Sequence, residues 1–238
     1  PPFPKVRLNS QPRGGFSLSE YLQLLRTAKA LAKVEDTNKH VTHRNRAGGI
    51  FTKTTSVPHE MAWIIGFMVN SFLRPTDLKY ICHKHVEIIQ GEHLYLRLTL
   101  PETKRHKAQI VTLRPAVRIY RHLRIHLESM GRVGEDDYLF LPHIEDRDAA
   151  AVVISQNFNK ILAATGLKQG ELGQVRSLYS LRHTAIMFRL LYGKGIDLLT
   201  LARNARTSVQ MIEEFYASNL TAEMNINLLH SKRSGKLP

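Results

Sequence analysis

The sequence predicts a mainly α-helical domain with one small three-stranded antiparallel sheet, an α+β fold. Three observations predict it. Apolar residues recur at helical spacing through most of the chain, often behind a capping residue or a proline. Clean two-residue alternation is confined to one stretch, His93 to Leu100. No internal repeat breaks this pattern, and 43% hydrophobic residues in a chain of 238 suffice for a substantial core.

The elements follow in order. Residues 1–15 are proline-rich and read as an extended lead-in, ahead of a domain over 16–220. Ser17 followed by Glu20 is a capping box, and Tyr21, Leu24, Leu25, Ala28 and Leu31 share the face of the helix it opens. Residues 35–55 are polar, basic and glycine-containing, and read as a loop. Pro58 suits the first turn of a second helix, with Met61, Ile64, Ile65, Met68, Val69 and Phe72 as its buried stripe. Pro75 disfavours helix at Arg74, so the chain turns there, and Thr76-Asp77-Leu78 begins a short helix. Strands are predicted over 86–89, 93–100 and 108–113, with a basic turn at 101–107. Pro115 starts a helix that turns Ala116, Tyr120, Leu123 and Leu127 inward and leaves Arg118, Arg121 and His122 off that stripe. Further helices are predicted over 155–165, 177–192 and 196–204. Another opens at the capping box Thr207-Ser208-Val209-Gln210, and a last one spans 219–230 within a basic C-terminal segment, 221–238.

Charge narrows the partner. Lys and Arg number 34 against 20 Asp and Glu, a net +14. A domain this basic usually faces a polyanion, with nucleic acid the leading candidate and a ribosomal-type structural protein or a solvated basic surface without a partner as the alternatives. Seven basic side chains (Lys104, Arg105, Lys107, Arg114, Arg118, Arg121, Arg124) fall between 104 and 124 with no acidic one among them. The single cysteine, Cys82, excludes an intramolecular disulfide framework and a cysteine-rich zinc site. The longest strongly apolar run, 62–69, is far short of a membrane span, so no membrane partner is expected. The chain opens on Pro-Pro without Met, which suggests a fragment or processed product.

No Walker loop, His-Glu-x-x-His, Gly-x-Ser-x-Gly or Cys-x-x-Cys is present, so no cofactor or metal is expected. Three segments stand out instead: Leu73-Arg74-Pro75-Thr76-Asp77-Leu78, Tyr179-Ser180-Leu181-Arg182-His183, and Ala205-Arg206-Thr207 with Tyr216 nine residues after Thr207. In this order and spacing the chain, from about Phe16 to Tyr216, resembles the catalytic domain of the tyrosine recombinases, the phage-integrase family. The resemblance implies roles for particular residues. Arg74 takes the place of the family's first arginine. Lys104, in Thr103-Lys104-Arg105-His106-Lys107 ahead of Val111-Thr112-Leu113, takes that of its hairpin lysine. Arg182 takes the second arginine's place, and Tyr179 replaces the first histidine of His-x-x-Arg-His. Thr207 replaces the His or Trp of the family's Leu-Gly-His segment, and Tyr216 falls on the nucleophile. His183 is expected to contact phosphate or orient Tyr216, and Asp77 to cap or to pair with Arg182. Arg105, Lys107, Arg118 and Arg121 are the expected DNA contacts.

The chemistry fits those residue types. Breaking a phosphodiester without water, metal or ATP needs a protein nucleophile and charge neutralisation at phosphorus. Tyrosine, with an unperturbed pKa of about 10, needs surrounding positive charge to attack at neutral pH. Two arginines can grip two non-bridging oxygens in a fork geometry that lysine cannot copy. A lysine on a turn can protonate the leaving 5′ oxygen. The resemblance further implies double-stranded DNA as the partner, four protomers acting on two duplexes, a monomer when isolated, a cytoplasmic site of action on the nucleoid, and a DNA-clamping N-terminal domain of the family that is not recognisable in this sequence. A type IB topoisomerase-like nicking and closing enzyme and a non-catalytic DNA-binding regulator are the alternatives.

Overall fold

The computed structural model describes residues 14–33, 41–44, 50–53, 57–100, 109–171, 173–193 and 195–216; for 41–44, 50–53 and Tyr216 it describes the backbone. The elements are α1 (Leu18–Lys33), β1 (Val41–Arg44), β2 (Ile50–Lys53), α2 (Met61–Ser71), β3 (Val86–Gln90), β4 (Leu94–Leu98), β5 (Ile110–Val111), α3 (Arg114–Glu128), α4 (Arg147–Thr165), α5 (Tyr179–Tyr192), α6 (Leu198–Asn204) and α7 (Val209–Tyr216). Short 3₁₀ turns at Asp77–Lys79 and His83–His85 lie between α2 and β3. Strands β3, β4 and β5 form the expected antiparallel sheet, in register Ile88↔Leu96 and Leu98↔Ile110.

Helix α2 is the centre of the fold. It packs against α1, α3, α4 and α5. Its residues are buried on every side, Trp63 excepted, rather than along one stripe. Gly66 makes that crowding possible on one side: a Cβ there would stand 2.9 Å from Ile119 Cδ1 of α3. Phe67 meets Phe140 edge-on at 5.6 Å, and Phe16 meets Phe158 at 6.3 Å. The alternation in β4 turns Leu96 and Leu98 into the same core. In α3, Ala116, Val117, Tyr120, Leu123 and Leu127 face inward while Arg118, Arg121 and His122 are exposed, as the periodicity predicts.

Five expectations need correction. The stretch read as a loop contains the antiparallel pair β1–β2, with Thr42 opposite Thr52 and His43 opposite Phe51. Val41, Thr42, Ile50, Phe51 and Thr52 favour extended backbone, and the surrounding basic residues masked that signal. Helix α2 begins at Met61, because Pro58 heads a turn in which its carbonyl accepts from the Met61 amide at 3.0 Å. Helix α4 begins at Arg147 rather than Ser155: Asp146 caps it, its carboxylate accepting from the amides of Asp148 and Ala149. Strand β5 pairs over two residues only. Ser208, not Thr207, caps α7, its Oγ accepting from the Met211 amide at 3.1 Å. The lead-in before Gly14, the turn 101–108 and the predicted helix 219–230 lie outside the described residues.

The capping box at Ser17 forms as predicted: the Ser17 amide donates to Glu20 Oε2 at 2.8 Å and the Glu20 amide to Ser17 Oγ at 3.3 Å. Glu20 also takes both ends of the Arg176 guanidinium, at 2.8 and 3.0 Å. Burial pushes the Glu20 carboxyl up, but Arg176 and the Ser17 amide outweigh it and hold it below its ordinary value of 4.5. A carboxyl depressed by folding stabilises the fold fully above its unfolded pKa, and that contribution is lost as pH falls through the folded one. Melting temperature is therefore expected to drop as pH falls below 4.5, and Glu20→Gln to flatten that part of the curve. An unchanged acid slope in Glu20→Gln would contradict this.

Candidate active site

The site begins where α2 ends. Pro75 bars helix at Arg74. The last helical turn closes on Phe72, whose φ of 59° is left-handed, a conformation glycine usually supplies. This bend frees the Phe72 carbonyl, which accepts from the Arg182 guanidinium of α5. Two residues on, the Arg74 amide donates to Asp77 Oδ2 at 2.8 Å, while the Asp77 amide donates to the Arg74 carbonyl at 2.9 Å. That reciprocal pair fixes the turn carrying Arg74.

A second turn, between α6 and α7, completes the arrangement. The Ala205 carbonyl accepts from Arg182, and the next carbonyl, that of Arg206, accepts from Arg74. Two guanidiniums from distant parts of the chain are thus held on consecutive carbonyls. Arg206 is itself left-handed, with φ of 53°. Its side chain is 3% exposed and reaches within 3.7 Å of Asp77 Oδ1. Arg182 is also only 3% exposed. The Arg206 side chain thus faces the Asp77 carboxylate, while the Arg74 and Arg182 guanidiniums rest on the carbonyls of the same turn.

Asn204 anchors that turn to the sheet. Its amide side chain mimics a strand neighbour, accepting from the Val111 amide at 2.8 Å and donating to the Val111 carbonyl at 2.9 Å. Edge strand β5 and the 205–206 turn are therefore fixed to one another.

Helix α5 presents Tyr179 and His183 one turn apart, with rings 5.1 Å apart. His183 also faces Phe215 of α7 at 6.3 Å. Phe215 precedes Tyr216, where the helix ends. Because Ser208 supplies the α7 cap, the Thr207 hydroxyl carries no hydrogen bond among the described residues. The Thr207 amide donates to the Ala202 carbonyl at 2.9 Å, closing the turn between α6 and α7.

No protein-family model and no curated protein matches the chain in sequence. Solved structures match it throughout. The Tn1549 transposon integrase in complex with transposon right end DNA aligns over 94% of this chain and 67% of its own, at 12% identity and a TM-score of 0.55. XerH site-specific recombinase bound to difH substrate aligns over 96% of this chain and 57% of its own, at 15% identity and a TM-score of 0.56. The chain has the tyrosine-recombinase catalytic fold. XerA recombinase aligns equally well, over 96% of this chain and 67% of its own, at 14% identity and a TM-score of 0.54. The chain thus spans between 57% and 67% of these three structures.

Of the residues expected from sequence, the recombinase fold brings Arg74, Arg182, Asp77 and Thr207 to the two turns, and Tyr179 and His183 to the adjoining face of α5. Asp77 is placed by the Arg74 amide and the Arg206 side chain. Tyr216 is described by backbone only, and Lys104, Arg105 and Lys107 lie outside the described residues. Arg118 and Arg121 stand with Arg114, Leu94, Pro115 and Val117 around an open groove of about 450 Å³ on α3. Among the described residues no group of three or more His, Cys, Asp or Glu side chains forms a metal site, and no helix is long and apolar enough to cross a membrane. Sequence reasoning missed Asn204 and Arg206. Arg206 carried a signal: it stands where the family segment it resembles has glycine.

Proposed function

We propose that this chain is the catalytic domain of a site-specific DNA recombinase, an integrase of a mobile element, which cuts and rejoins DNA through a 3′-phosphotyrosyl intermediate. The observation that carries the reading is the seating of Arg74 and Arg182 on consecutive carbonyls beside the helix that ends in Tyr216. Two guanidiniums so held suit the two non-bridging oxygens of one phosphodiester. Neighbours in the same fold are crystallised with transposon end DNA and with difH, which supports duplex DNA as the partner.

In this reading the scissile phosphate lies between Arg74 and Arg182, and Tyr216, its phenol proton passed to solvent, attacks phosphorus through Oη. A Tyr216 Oη–P bond forms, the bond from phosphorus to the 5′ oxygen breaks, and the electron pair leaves with that oxygen. Lys104 gives it a proton and releases a 5′ hydroxyl. A 5′ hydroxyl of the partner strand later attacks the phosphotyrosine, giving its proton to Lys104; the Tyr216 Oη–P bond breaks, the tyrosine leaves, and a phosphodiester is restored. Bond energy is conserved in the protein–DNA link, so no cofactor is required. Tyr179 and Thr207 donate hydrogen bonds to phosphate oxygens where the family has imidazole or indole. His183, packed against Phe215, orients the end of α7. Four protomers act on two duplexes.

A pool of nicked duplexes, randomised on both sides of the nick, tests the reading. Cleavage near the nick releases a short fragment and traps the covalent complex. Recovery of a detergent-stable adduct that maps to Tyr216 is expected; no adduct, or one at another residue, refutes the proposal. On the duplex so recovered, Lys104→Ala is expected to slow cleavage roughly 10²-fold or more. Substituting sulfur for the bridging 5′ oxygen should largely restore its rate, because a thiolate leaves without a proton. Arg74→Ala and Arg182→Ala should gain nothing from the sulfur. Rescue of Lys107→Ala instead of Lys104→Ala would move the proton donor three residues along the turn.

A further inference from the structure

We propose that Arg206 is a positioning residue of this site, whose guanidinium neutralises Asp77 so that Arg74 and Arg182 stay available to the phosphate. The inference rests on the recombinase reading and deepens it.

The backbone supplies the first argument. At φ of 53° a side chain is disfavoured and glycine is relaxed. An arginine there is kept against local preference, so its side chain has something to do. Burial supplies the second. A guanidinium only 3% exposed needs an anionic or hydrogen-bonding partner, and Asp77 Oδ1 lies 3.7 Å from Arg206 Nη1. Position supplies the third. Asp77 Oδ2 holds the Arg74 amide, the Arg206 carbonyl holds the Arg74 guanidinium, and the neighbouring Ala205 carbonyl holds Arg182. One residue thus meets Asp77 through its side chain and Arg74 through its main chain.

The role follows from charge competition. Asp77 is a buried carboxylate, 8% exposed at the side chain, beside the turn on whose carbonyls the Arg74 and Arg182 guanidiniums rest. Left unneutralised, it would draw the Arg74 or Arg182 guanidinium onto itself and compete with the DNA. Arg206 satisfies it from the protein side. Asp77 can then cap the Arg74 turn without taking the arginines out of use.

The test uses the nicked duplex recovered above and three measurements: single-turnover cleavage rate at saturating protein, DNA dissociation constant, and melting temperature. Arg206→Gly relaxes the backbone but leaves the buried Asp77 carboxylate without its cation, so melting temperature is expected to fall while the chain stays folded at the assay temperature, and DNA affinity to change by less than about threefold. Cleavage is expected to slow roughly 30-fold, a loss of transition-state contacts rather than of binding. Arg206→Lys keeps the cation and is expected to stay within about fivefold of the parent. The decisive variant is Arg206→Gly with Asp77→Asn. Removing the competing carboxylate should return about tenfold of the lost rate while the asparagine carbonyl oxygen still accepts from the Arg74 amide, whereas a merely structural role predicts a further loss. Arg206→Gly cleaving within about twofold of the parent would overturn the inference, as would Arg206→Lys as slow as the glycine variant, or no recovery in the double variant. In each of those cases the parent still forms its Tyr216 adduct and the recombinase reading survives. If the parent forms no adduct, both fall together.

Discussion

Tyr216→Phe is expected to bind duplex DNA as tightly as the parent chain and to form no covalent complex with it. Only the phenolic oxygen can make the bond to phosphorus, and phenylalanine keeps every other atom of the ring. The eight-residue helix α7 keeps its Ser208 cap and its packing on α6. In the proposed reading, contacts with the DNA backbone come from arginines elsewhere in the chain, so affinity has no reason to fall. Loss of a covalent nucleophile removes the chemical step, and the rate is expected to fall roughly 10⁴-fold or more. A gel-shift titration beside a detergent-stable adduct assay measures both quantities on one sample. Any adduct in the Tyr216→Phe chain would place the nucleophile elsewhere.

Arg147→Met is expected to be the most destabilising single substitution for which the structure gives a reason. Arg147 is buried at the start of α4, and its guanidinium donates to four backbone carbonyls. These are Lys79 at 2.9 Å, Leu141 at 3.0 Å, Ile144 at 2.8 Å and Phe140 at 2.8 Å. The same group lies 4.0 Å from the centre of the Tyr138 ring. Methionine fills much of the volume but offers no donor. Several buried carbonyls would lose their partner, at about 1–3 kcal/mol each before relaxation. A net loss of roughly 3–5 kcal/mol, or about 10 °C in melting temperature, is expected. Arg147→Lys should recover little, because an ammonium cannot reproduce the fork. The effect should extend to the site, since Lys79 ends the turn that begins with Asp77. A melting temperature within about 2 °C of the parent would show that water replaces the guanidinium at little cost.

Much of the architecture was legible because it is written in short-range pattern. The Ser17–Glu20 box, the alternation of Leu94, Leu96 and Leu98, and the inward face of α3 each depend on residues a few positions apart. The start of α4 was not legible. Asp146 caps it, but the helix then runs through Arg147 and a string of small residues with little amphipathic contrast, and the buried Arg147 breaks the expected polarity. Of the candidate site, Arg74, Arg182, Tyr179 and His183 were named from motif order, and their roles stand as proposals. What holds them could not be read that way. Their acceptors are main-chain carbonyls of residues 72, 205 and 206, and any residue type supplies a carbonyl. Arg206 was passed over for the opposite reason: the motif expects glycine there, and a long cation in a left-handed turn belongs to no local pattern.

Two of the three bonds that seat the two site arginines join positions 110 and 132 residues apart. Contacts of that range form only after the intervening chain has been ordered, because closing so long a loop is favourable only once the core repays its entropy. The pair of seated guanidiniums that the proposed chemistry needs near Tyr216 is therefore absent from the nascent or partly unfolded polypeptide. A chain emerging from the ribosome has synthesised Arg74 and Arg182 before it has the turn on which both must rest. In the proposed reading, strand scission is in this way conditional on completed folding.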